Sequence, residues 1–288
     1  MALFSDILLT VDYDRTLTAP DSTIPERNIE AIRYFIENGG AFTINTGRSV
    51  PMYEPLRDLV PVNAPLLLYN GSAAYDRQSR ELSQCQLIDL DLWQTVAEIE
   101  AEFPDVTVEI QGKSAHYHAG SHPKWEDFSG TNHCAYEIVE RGADLGEFLK
   151  FAVLGKFYGN TVASFFGGPA EDRRRMDEVE QWLRRRYGEK VEVFRAADRI
   201  IDVHAKGISK IKAARMLQAK LGRKILVCAG DADNDIPMLE GADFAYCPAD
   251  GVVADRFETV CNCAEGAVAT VIYEKIPGIL NLDLDKRG

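Results

Sequence analysis

Short polar clusters follow directly after runs of branched apolar residues, and this pattern restricts the possible fold more than any other feature of the chain. Residues 7–11 (ILLTV), 41–44 (AFTI) and 224–229 (KILVCA) are near-continuous apolar runs, typical of parallel strands buried on both faces. The clusters are DYDRT at 12–16, NTGRS at 45–49, Lys206-Gly207 and GDADND at 230–235. In open α/β sheets, ligands bind beyond the carboxyl ends of the strands. The clusters are therefore expected to meet in one crevice.

The order of the predicted elements indicates two domains. A chain of 288 residues is near the size at which single cores stop growing, ~250–300 residues. Strand and helix patterns alternate up to about residue 77 and resume with a helix at 208–221. We predict an α/β fold in which a doubly wound, Rossmann-like parallel sheet forms a discontinuous core at 1–82 and 201–288. An α+β cap domain with an antiparallel sheet is inserted at 83–200.

Composition excludes several classes of protein. The 45 acidic residues against 32 basic ones give a net charge of −13, which argues against nucleic-acid binding but allows a small anionic substrate. Six cysteines without a CxxC pair are typical of free thiols in a reducing compartment. No secretory signal or membrane-length apolar run is recognisable. We therefore expect a cytoplasmic protein without membrane partners, as a monomer or small homo-oligomer.

The two acidic clusters have the chemistry of a magnesium site. Asp12 and Asp14 lie two residues apart at a strand end, so both carboxylates can point the same way. Mg²⁺ prefers oxygen ligands and commonly takes one or two carboxylates together with phosphate oxygens and waters. Asp231 and Asp235, one helical turn apart, can supply further ligands. Gly230 allows the backbone to approach closely.

A metal beside a carboxylate and a phosphate favours nucleophilic displacement at phosphorus. Asp12 is the candidate nucleophile, and Asp14 is the candidate acid and base. Thr46, the amides near Gly47, and Lys206 can offset the charge of the phosphoryl oxygens. Lys206 is preferred to Lys210 and Lys212 because it precedes the helix, as a loop residue at a strand end should. The candidate substrate-binding residues are Thr16, Gly47, Arg48 and Asn234.

These residues together resemble the haloacid dehalogenase superfamily. Its DxDx(T/V) pattern, which supplies nucleophile and acid/base, is matched by Asp12, Asp14 and Thr16. The resemblance further implies roles for a hydroxyl after the second strand, a lysine and a terminal acidic motif, matched here by Thr46, Lys206, Asp231 and Asp235. It also implies that Mg²⁺ is bound by the acidic residues, with the main-chain carbonyl of Asp14 as a further ligand.

Within the superfamily, the chain resembles the Cof-type sugar phosphatases. TGR at 46–48, Asn70-Gly71 and Lys206-Gly207 match that subgroup, as does an insertion between the third strand and the lysine. One departure is Arg15, where Cof-type members usually carry glycine. A guanidinium at this position could reach the substrate as an additional cation.

The resemblance implies a Mg²⁺-dependent phosphatase of small phosphorylated metabolites, with sugar phosphates first. Three alternatives stay open at this point. A phosphomutase or phosphotransferase would share Asp12 and Asp14 but pass the phosphoryl group to an organic acceptor. A phospho-accepting receiver module also places acids, Thr and Lys at strand ends, and a sensor would only bind phosphorylated ligands.

The histidines of the inserted region raise a separate question. His116 and His118 share one strand face, with His122 nearby, and imidazoles are common zinc ligands. Because the spacing supplies no further ligand, a polar cap face is the preferred interpretation. On such a face, the same histidines could contact the leaving group of the substrate, and we state this as a hypothesis.

Overall fold

The computed structural model describes residues 2–120, 134, 136–158, 165 and 167–285, with side chains up to residue 280. The chain divides into two compact units. Unit 1 comprises Met1–Thr46, Asp58–Glu81 and Ser209–Gly288, and unit 2 comprises Gly47–Arg57 and Leu82–Ile208. Relative to the predicted boundaries, the chain returns to unit 1 at Ser209 rather than at residue 201.

Unit 1 is built on a five-stranded parallel sheet whose strands are short and apolar. Its strands are β1 (Ile7–Val11), β2 (Ala41–Ile44), β12 (Ile225–Ala229), β13 (Phe244–Pro248) and β14 (Glu258–Val260). The spatial order is β14-β13-β12-β1-β2, and all four pairings are parallel. β1 is buried along its whole length, as its branched, unalternating sequence predicts.

A small second sheet follows β2 in the chain. It contains β3 (Leu66–Leu68), β4 (Ala73–Asp76) and β5 (Glu81–Ser83), and β3 continues the parallel arrangement through a bridge between Asn45 and Leu67. Here the predicted strand at 65–69 is shorter than expected, because the chain turns at Tyr69 and Asn70, whose φ angles are +52° and +55°.

Helices connect the strands of unit 1. They are α1 (Glu26–Glu37), α5 (Lys210–Lys220), α6 (Ile236–Glu240), α7 (Ala267–Thr270) and α8 (Ile276–Asp285). Ser209 caps α5 by accepting a hydrogen bond from the Lys212 amide at 3.2 Å. The buried face of α5 follows the helical repeat, with Lys210, Ala213, Ala214 and Leu217 pointing inward.

Strand order explains where a site can form in unit 1. The chain leaves β1 toward β2 on one side, while β12 pairs on its other side. β1 is therefore the topological switch point of the sheet, and ligands of such folds bind at the carboxyl ends of the strands that flank it. Three of the four predicted polar clusters, at 12–16, 45–49 and 230–235, directly follow β1, β2 and β12.

Unit 2 contains a six-stranded sheet. Its strands are β6 (Thr107–Gly112), β7 (His116–Ala119), β8 (Tyr136–Val139), β9 (Phe148–Leu154), β10 (Val191–Ala197) and β11 (Ile200–Ala205). The order is β10-β11-β9-β6-β7-β8; all pairs are antiparallel except β7 with β8, which is parallel. Unit 2 also contains α2 (Val50–Tyr53), α3 (Leu92–Glu102) and α4 (Ala170–Tyr187).

One face of this sheet packs against α3 and α4 around a core that includes Ile99, Leu183 and Val203. The predicted α/β class, with a parallel core sheet and a separate, mainly antiparallel sheet, is thereby confirmed. Across the described parts of both units, the structure shows no helix long and apolar enough to span a lipid bilayer.

Candidate active site

Asp12 lies at the point where β1 ends. Its backbone amide donates to the carbonyl of Ala229 at 2.9 Å, which continues the register of Val11 with Ala229 for one more residue. β12 ends at the same level, so the loop at 230–235 begins beside Asp12. Parallel pairing thus brings together carboxylates that are more than 200 residues apart in the chain.

Three carboxylates meet at this edge of the sheet. One oxygen from each of Asp12, Asp231 and Asp235 lies within 4.8 Å of the other two. The residues are 7%, 3% and 0% exposed. Buried carboxylates are costly unless a cation or hydrogen-bond donors compensate them.

Lys210 supplies one compensating charge. Its Nζ donates to Asp12 Oδ1 and to Asp235 Oδ1, each at 2.6 Å, and its side chain is 1% exposed. Burial, the largest influence, lowers the pKa of Lys210, but the two carboxylates outweigh it and raise the pKa above the ordinary value. The Lys210 carbonyl accepts a hydrogen bond from Asn45 Nδ2 at 2.9 Å, which fixes the first turn of α5 against the loop after β2.

The structure places Lys210, rather than the predicted Lys206, on Asp12 and Asp235. Lys206 belongs to unit 2, where its half-exposed amine donates to the Gly188 carbonyl at 2.7 Å and pairs with Glu192 at 3.2 Å. A loop residue can reach a strand end, but the first turn of the capped helix α5 points its inward residue, Lys210, at the same edge. The signal was present in the sequence, because Lys210 shares the helical stripe of Ala213 and Leu217.

The remaining charge of the cluster is negative. Three ionised carboxylates against one ammonium leave two uncompensated charges. Burial, reinforced by the neighbouring carboxylates, raises the pKa of Asp12 to about 7 even though Lys210 opposes it. Burial and the charges of Asp235 and Asp12 raise the pKa of Asp231 to about 8. The cluster therefore favours binding of either protons or a cation.

Asp235 has a different environment from the other two acids. Its Oδ2 accepts from the amides of Asp231 and Ala232 at 3.0 and 3.2 Å, while Oδ1 accepts from Lys210. These bonds use three of the roughly four acceptor sites of a carboxylate. Asp235 thus holds the 230–235 loop and orients Lys210. A side chain at Gly230 would lie 2.6 Å from the Asp235 Cβ, so the close approach predicted for this glycine is present.

Thr16 and Arg15 both reach Asp231. Thr16 is fully buried, and its Oγ1 donates to Asp231 Oδ1 at 3.1 Å. Arg15 Nε lies 3.9 Å from Asp231 Oδ2, with a side chain that is 42% exposed. Arg15 has φ +61° and ψ 6°, a left-handed conformation in which glycine carries no steric cost. Thr16 was predicted as a substrate-binding residue, and the structure places it on a carboxylate of the cluster.

The other predicted residues are divided between the units. Asp14 is half-buried in the turn after β1, and its charge contributes to the raised pKa of Asp12. Thr46 is buried, with its amide bound to the Leu67 carbonyl and its carbonyl accepting from the Asn70 amide, both at 2.9 Å. Asn234 donates to Asn70 Oδ1 at 3.5 Å.

Gly47 and Arg48 belong to unit 2. The histidines predicted to form a polar cap face are there as well: His116 is 3% exposed and His118 is 0% exposed. His122 lies outside the described residues. Within the described ranges, the acidic group of unit 1 is the one set of three or more ligand-type side chains whose ligand atoms converge.

The cluster fits a divalent ion such as Mg²⁺. All three converging side chains offer oxygen, the donor that this hard ion prefers, and their ionised carboxylates outnumber the one buried ammonium of Lys210. Asp12 and Asp231 are the carboxylates with the most remaining acceptor capacity among the three, since Asp235 already accepts three hydrogen bonds. We therefore expect Asp12 and Asp231 to hold the ion.

The raised pKa values predict how pH changes the stability of the metal-free protein. The folded pKa of Asp12 and Asp231 exceeds their ordinary value of 3.8, so both favour the folded state when protonated. That contribution is complete below the unfolded pKa and is lost as pH rises through about 7 to 8. In EDTA, the Tm is expected to fall between about pH 5.5 and pH 8, and excess Mg²⁺ should reverse the fall because it binds the ionised form.

Calorimetry at matched ionic strength measures this effect. The control is Asp231→Asn, which removes one titrating group and should flatten the decline in EDTA. A Tm in EDTA that rises with pH over this range in the wild-type protein would contradict the assignment of raised pKa values to the cluster.

A family comparison shows which class of protein has this fold and this acidic group. The family model of haloacid dehalogenase-like hydrolases matches residues 9–254, and the chain belongs to that family. The predicted superfamily and the prediction of an enzyme of hydrolase type are confirmed. The matched range begins within β1 and extends past the 230–235 loop, so it contains all of the acidic cluster.

The chain is similar to two curated phosphatases. It is 26% identical over 237 residues to the HMP-PP phosphatase of Serratia proteamaculans, covering 81% of this chain and 80% of the relative. It is 25% identical over 241 residues to the 5-amino-6-(5-phospho-D-ribitylamino)uracil phosphatase YcsE of Bacillus subtilis, covering 82% and 80%. In fold it matches the solved structure of a sugar phosphatase of haloacid dehalogenase subclass IIB, with a TM-score of 0.72, 20% identity and coverage of 94% and 99%.

Proposed function

We propose that the protein is a Mg²⁺-dependent phosphatase that hydrolyses small phosphorylated metabolites through a phosphoryl ester of Asp12. The observation that carries the proposal is the cluster of three buried carboxylates around Lys210, at the switch point of a parallel sheet. Buried acids with strongly perturbed pKa values at such a position are typical of catalytic sites.

In the first step, Asp12 acts as the nucleophile. A carboxylate oxygen forms a bond to phosphorus as the bond from phosphorus to the leaving oxygen breaks. Lys210, fixed by Asp12 and Asp235 at 2.6 Å each, favours the ionised form of the nucleophile and orients it. Thr46 can stabilise charge on the phosphoryl oxygens.

Asp14 acts as the general acid in the first step and as the general base in the second. It gives a proton to the leaving oxygen as the ester forms, and it then accepts a proton from the water that attacks phosphorus. The second attack breaks the bond between Asp12 and phosphorus and releases inorganic phosphate. Asp14 is half-buried, in contrast to Asp12, and so retains contact with solvent for this exchange.

Mg²⁺, held by Asp12 and Asp231 with the main-chain carbonyl of Asp14, would supply electrostatic stabilisation of the phosphoryl charge. The buried Thr16 hydroxyl orients Asp231, because it donates a hydrogen bond to Asp231 Oδ1. Asp235 orients Lys210 and the 230–235 loop.

The substrate class is supported by the relatives and by charge. Both curated relatives are named for small phosphorylated compounds, and the fold of a sugar phosphatase spans nearly the whole chain. A net charge of −13 disfavours polyanionic substrates such as nucleic acid. We infer that sugar phosphates, nucleotides and phosphorylated cofactor precursors form the set to be tested.

A panel of these phosphomonoesters, assayed with Mg²⁺ and with EDTA, tests the proposal. We expect repeated release of inorganic phosphate in water without an added acceptor, and its loss in EDTA. Release that required an organic acceptor would indicate a phosphotransferase. Labelling that stopped after one equivalent would indicate a phospho-accepting module, and binding without release would indicate a sensor.

A further inference from the structure

The chain passes from unit 1 to unit 2 at the peptide bond between Thr46 and Gly47. Thr46 belongs to the edge of the parallel sheet, whereas the segment 47–57 packs with the strands of unit 2. The conformation of the residues directly after Thr46 is therefore set by side chains of unit 2. Two buried polar networks in that unit end on this segment, one at Gly47 and one at Ser49.

The first network holds Gly47. Lys150, on β9, donates from Nζ to the Gly47 carbonyl at 3.0 Å and to Asp202 Oδ2, on β11, also at 3.0 Å. The side chains of Lys150 and Asp202 are each 5% exposed. A buried ammonium requires a carboxylate, which Asp202 provides, and a second acceptor, which the segment provides. Removing Lys150 would leave the Gly47 carbonyl without this donor.

The second network holds Ser49. Ser49 Oγ lies 2.7 Å from Nε2 of His116, on β7, and accepts from the Met52 amide at 3.3 Å as the cap of α2. His116 Nδ1 lies 3.1 Å from Oε1 of Glu109, on β6. The two ring nitrogens of His116 thus link the Glu109 carboxylate on one side to the Ser49 hydroxyl on the other.

Glu109 is held in its ionised form by its surroundings. Gln111 donates from Nε2 to Glu109 Oε1 at 2.6 Å. Burial, the largest influence, acts to raise the pKa of Glu109, but His116, His118 and Gln111 together lower it to about 2. The carboxylate therefore persists over the whole working range of pH, and the orientation of His116 is fixed.

We propose that Lys150 and His116 are positioning residues that hold the Gly47–Ser49 segment and thereby fix the peptide that directly follows Thr46, a residue of the proposed phosphoryl site. The proposal rests on the phosphatase function proposed above. Its anchors at residues 47 and 49 bracket Arg48, and the first of them follows Thr46 directly. Both anchors come from one sheet face, since Gln111 pairs in register with both His116 and Lys150.

The test compares two variants of unit 2. Lys150→Met combined with Asp202→Asn removes the first anchor without leaving a bare buried carboxylate. Val203→Ala, on the opposite face of β11 within the apolar core, creates a cavity in the same unit without touching the segment. Both proteins are compared with the wild type below their unfolding temperatures.

Amide exchange and kinetics are both measured. In the Lys150→Met/Asp202→Asn protein, exchange at residues 47–53 should rise at least ~10-fold, because local hydrogen bonds limit it. The kcat for a phosphomonoester should fall at least ~20-fold, since small displacements of binding groups are costly. The Mg²⁺ concentration for half-maximal rate should stay within ~2-fold, because its ligands lie in unit 1. In the Val203→Ala protein, the amide exchange at residues 47–53, the kcat and the Mg²⁺ concentration for half-maximal rate should all stay near the wild-type values.

The outcomes separate the two proposals. Unchanged exchange at residues 47–53 would overturn the anchoring role whatever the activity. Raised exchange with unchanged kcat, or an equal loss of kcat in Val203→Ala, would overturn the positioning role and leave the phosphatase intact. A wild-type protein that hydrolyses nothing would overturn the proposed function and, with it, the positioning role, even if exchange showed the anchor.

Discussion

Replacing Asp12 by Asn is expected to abolish phosphate release, with a fall in kcat of at least ~10⁴-fold, because an amide cannot form the ester to phosphorus. The fold should survive. The substitution removes a carboxylate whose burial already raises its pKa to about 7, and the amide is of similar size. Steady-state kinetics at saturating Mg²⁺, with circular dichroism and the Tm as checks on folding, measure both parts of the expectation.

The matched control for this variant is Asp233→Asn. Asp233 lies in the same GDADND motif but is exposed, and the converging group of carboxylates does not include it. Its substitution should leave kcat within ~3-fold, since surface changes away from special features have small effects. An Asp12→Asn protein that turned over at the wild-type rate would remove the nucleophile from the mechanism.

Lys210→Met is expected to have the largest effect on stability. The substitution leaves Asp12 and Asp235 buried without their shared cation, and breaking a buried pair in this way costs about 3–5 kcal/mol. The kcat should also fall by at least ~10²-fold, because the orientation of the nucleophile is lost. Urea unfolding gives the free energy of unfolding, and kinetics below the Tm give the rate.

Lys206→Met is the matched control, because it makes the same chemical change four residues earlier. Lys206 is 52% exposed at its side chain, and its pairing with Glu192 is solvent-screened. We expect a loss of less than ~1 kcal/mol and a nearly unchanged kcat. If Lys206→Met lost activity while Lys210→Met kept it, the assignment of the lysine would have to be reversed.

The parallel core of the fold could be predicted because its strands have a strong local signature. The bounds expected for β1 and β2 agree with the structure, and both are short runs of branched residues buried at every position. The meeting of Asp12, Asp231 and Asp235 also followed from the sequence. Once two runs are recognised as parallel strands, the residues after them must lie at the same edge.

The position of a lysine relative to a strand does not by itself show which lysine contacts the carboxylates of Asp12 and Asp235. Lys206 and Lys210 each lie two residues from the predicted helix start at residue 208, and the difference between them arises from where the helix begins in the structure. Because Ser209 is the cap, Lys210 is the first residue of the buried stripe of α5, while Lys206 stays behind in unit 2. Recognising Ser209 as the N-cap and then following the helical repeat from it identifies Lys210 as the inward-pointing lysine.

The networks around Gly47 and Ser49 were beyond sequence reasoning for a different reason. Lys150, Asp202, His116 and Glu109 are polar residues in strands, and alternation shows only that they share a face. Their contacts depend on the register of the six-stranded sheet and on the path of the segment after Thr46. Long-range register is not encoded in local pattern, since each pairing is set by tertiary packing.

Chemical trapping shows whether phosphorus becomes bonded to Asp12 during turnover. Wild-type protein is mixed with a ³²P-labelled phosphomonoester and Mg²⁺ and quenched in acid within milliseconds. One portion is digested directly, and the acyl phosphate in a second portion is reduced with borohydride, which releases the phosphate. We expect ³²P on the peptide that contains Asp12 in the first portion and homoserine at residue 12 in the second, both in amounts that appear and decay with turnover. Continued phosphate release without label at residue 12, or with label at another side chain, would rule out Asp12 as the nucleophile.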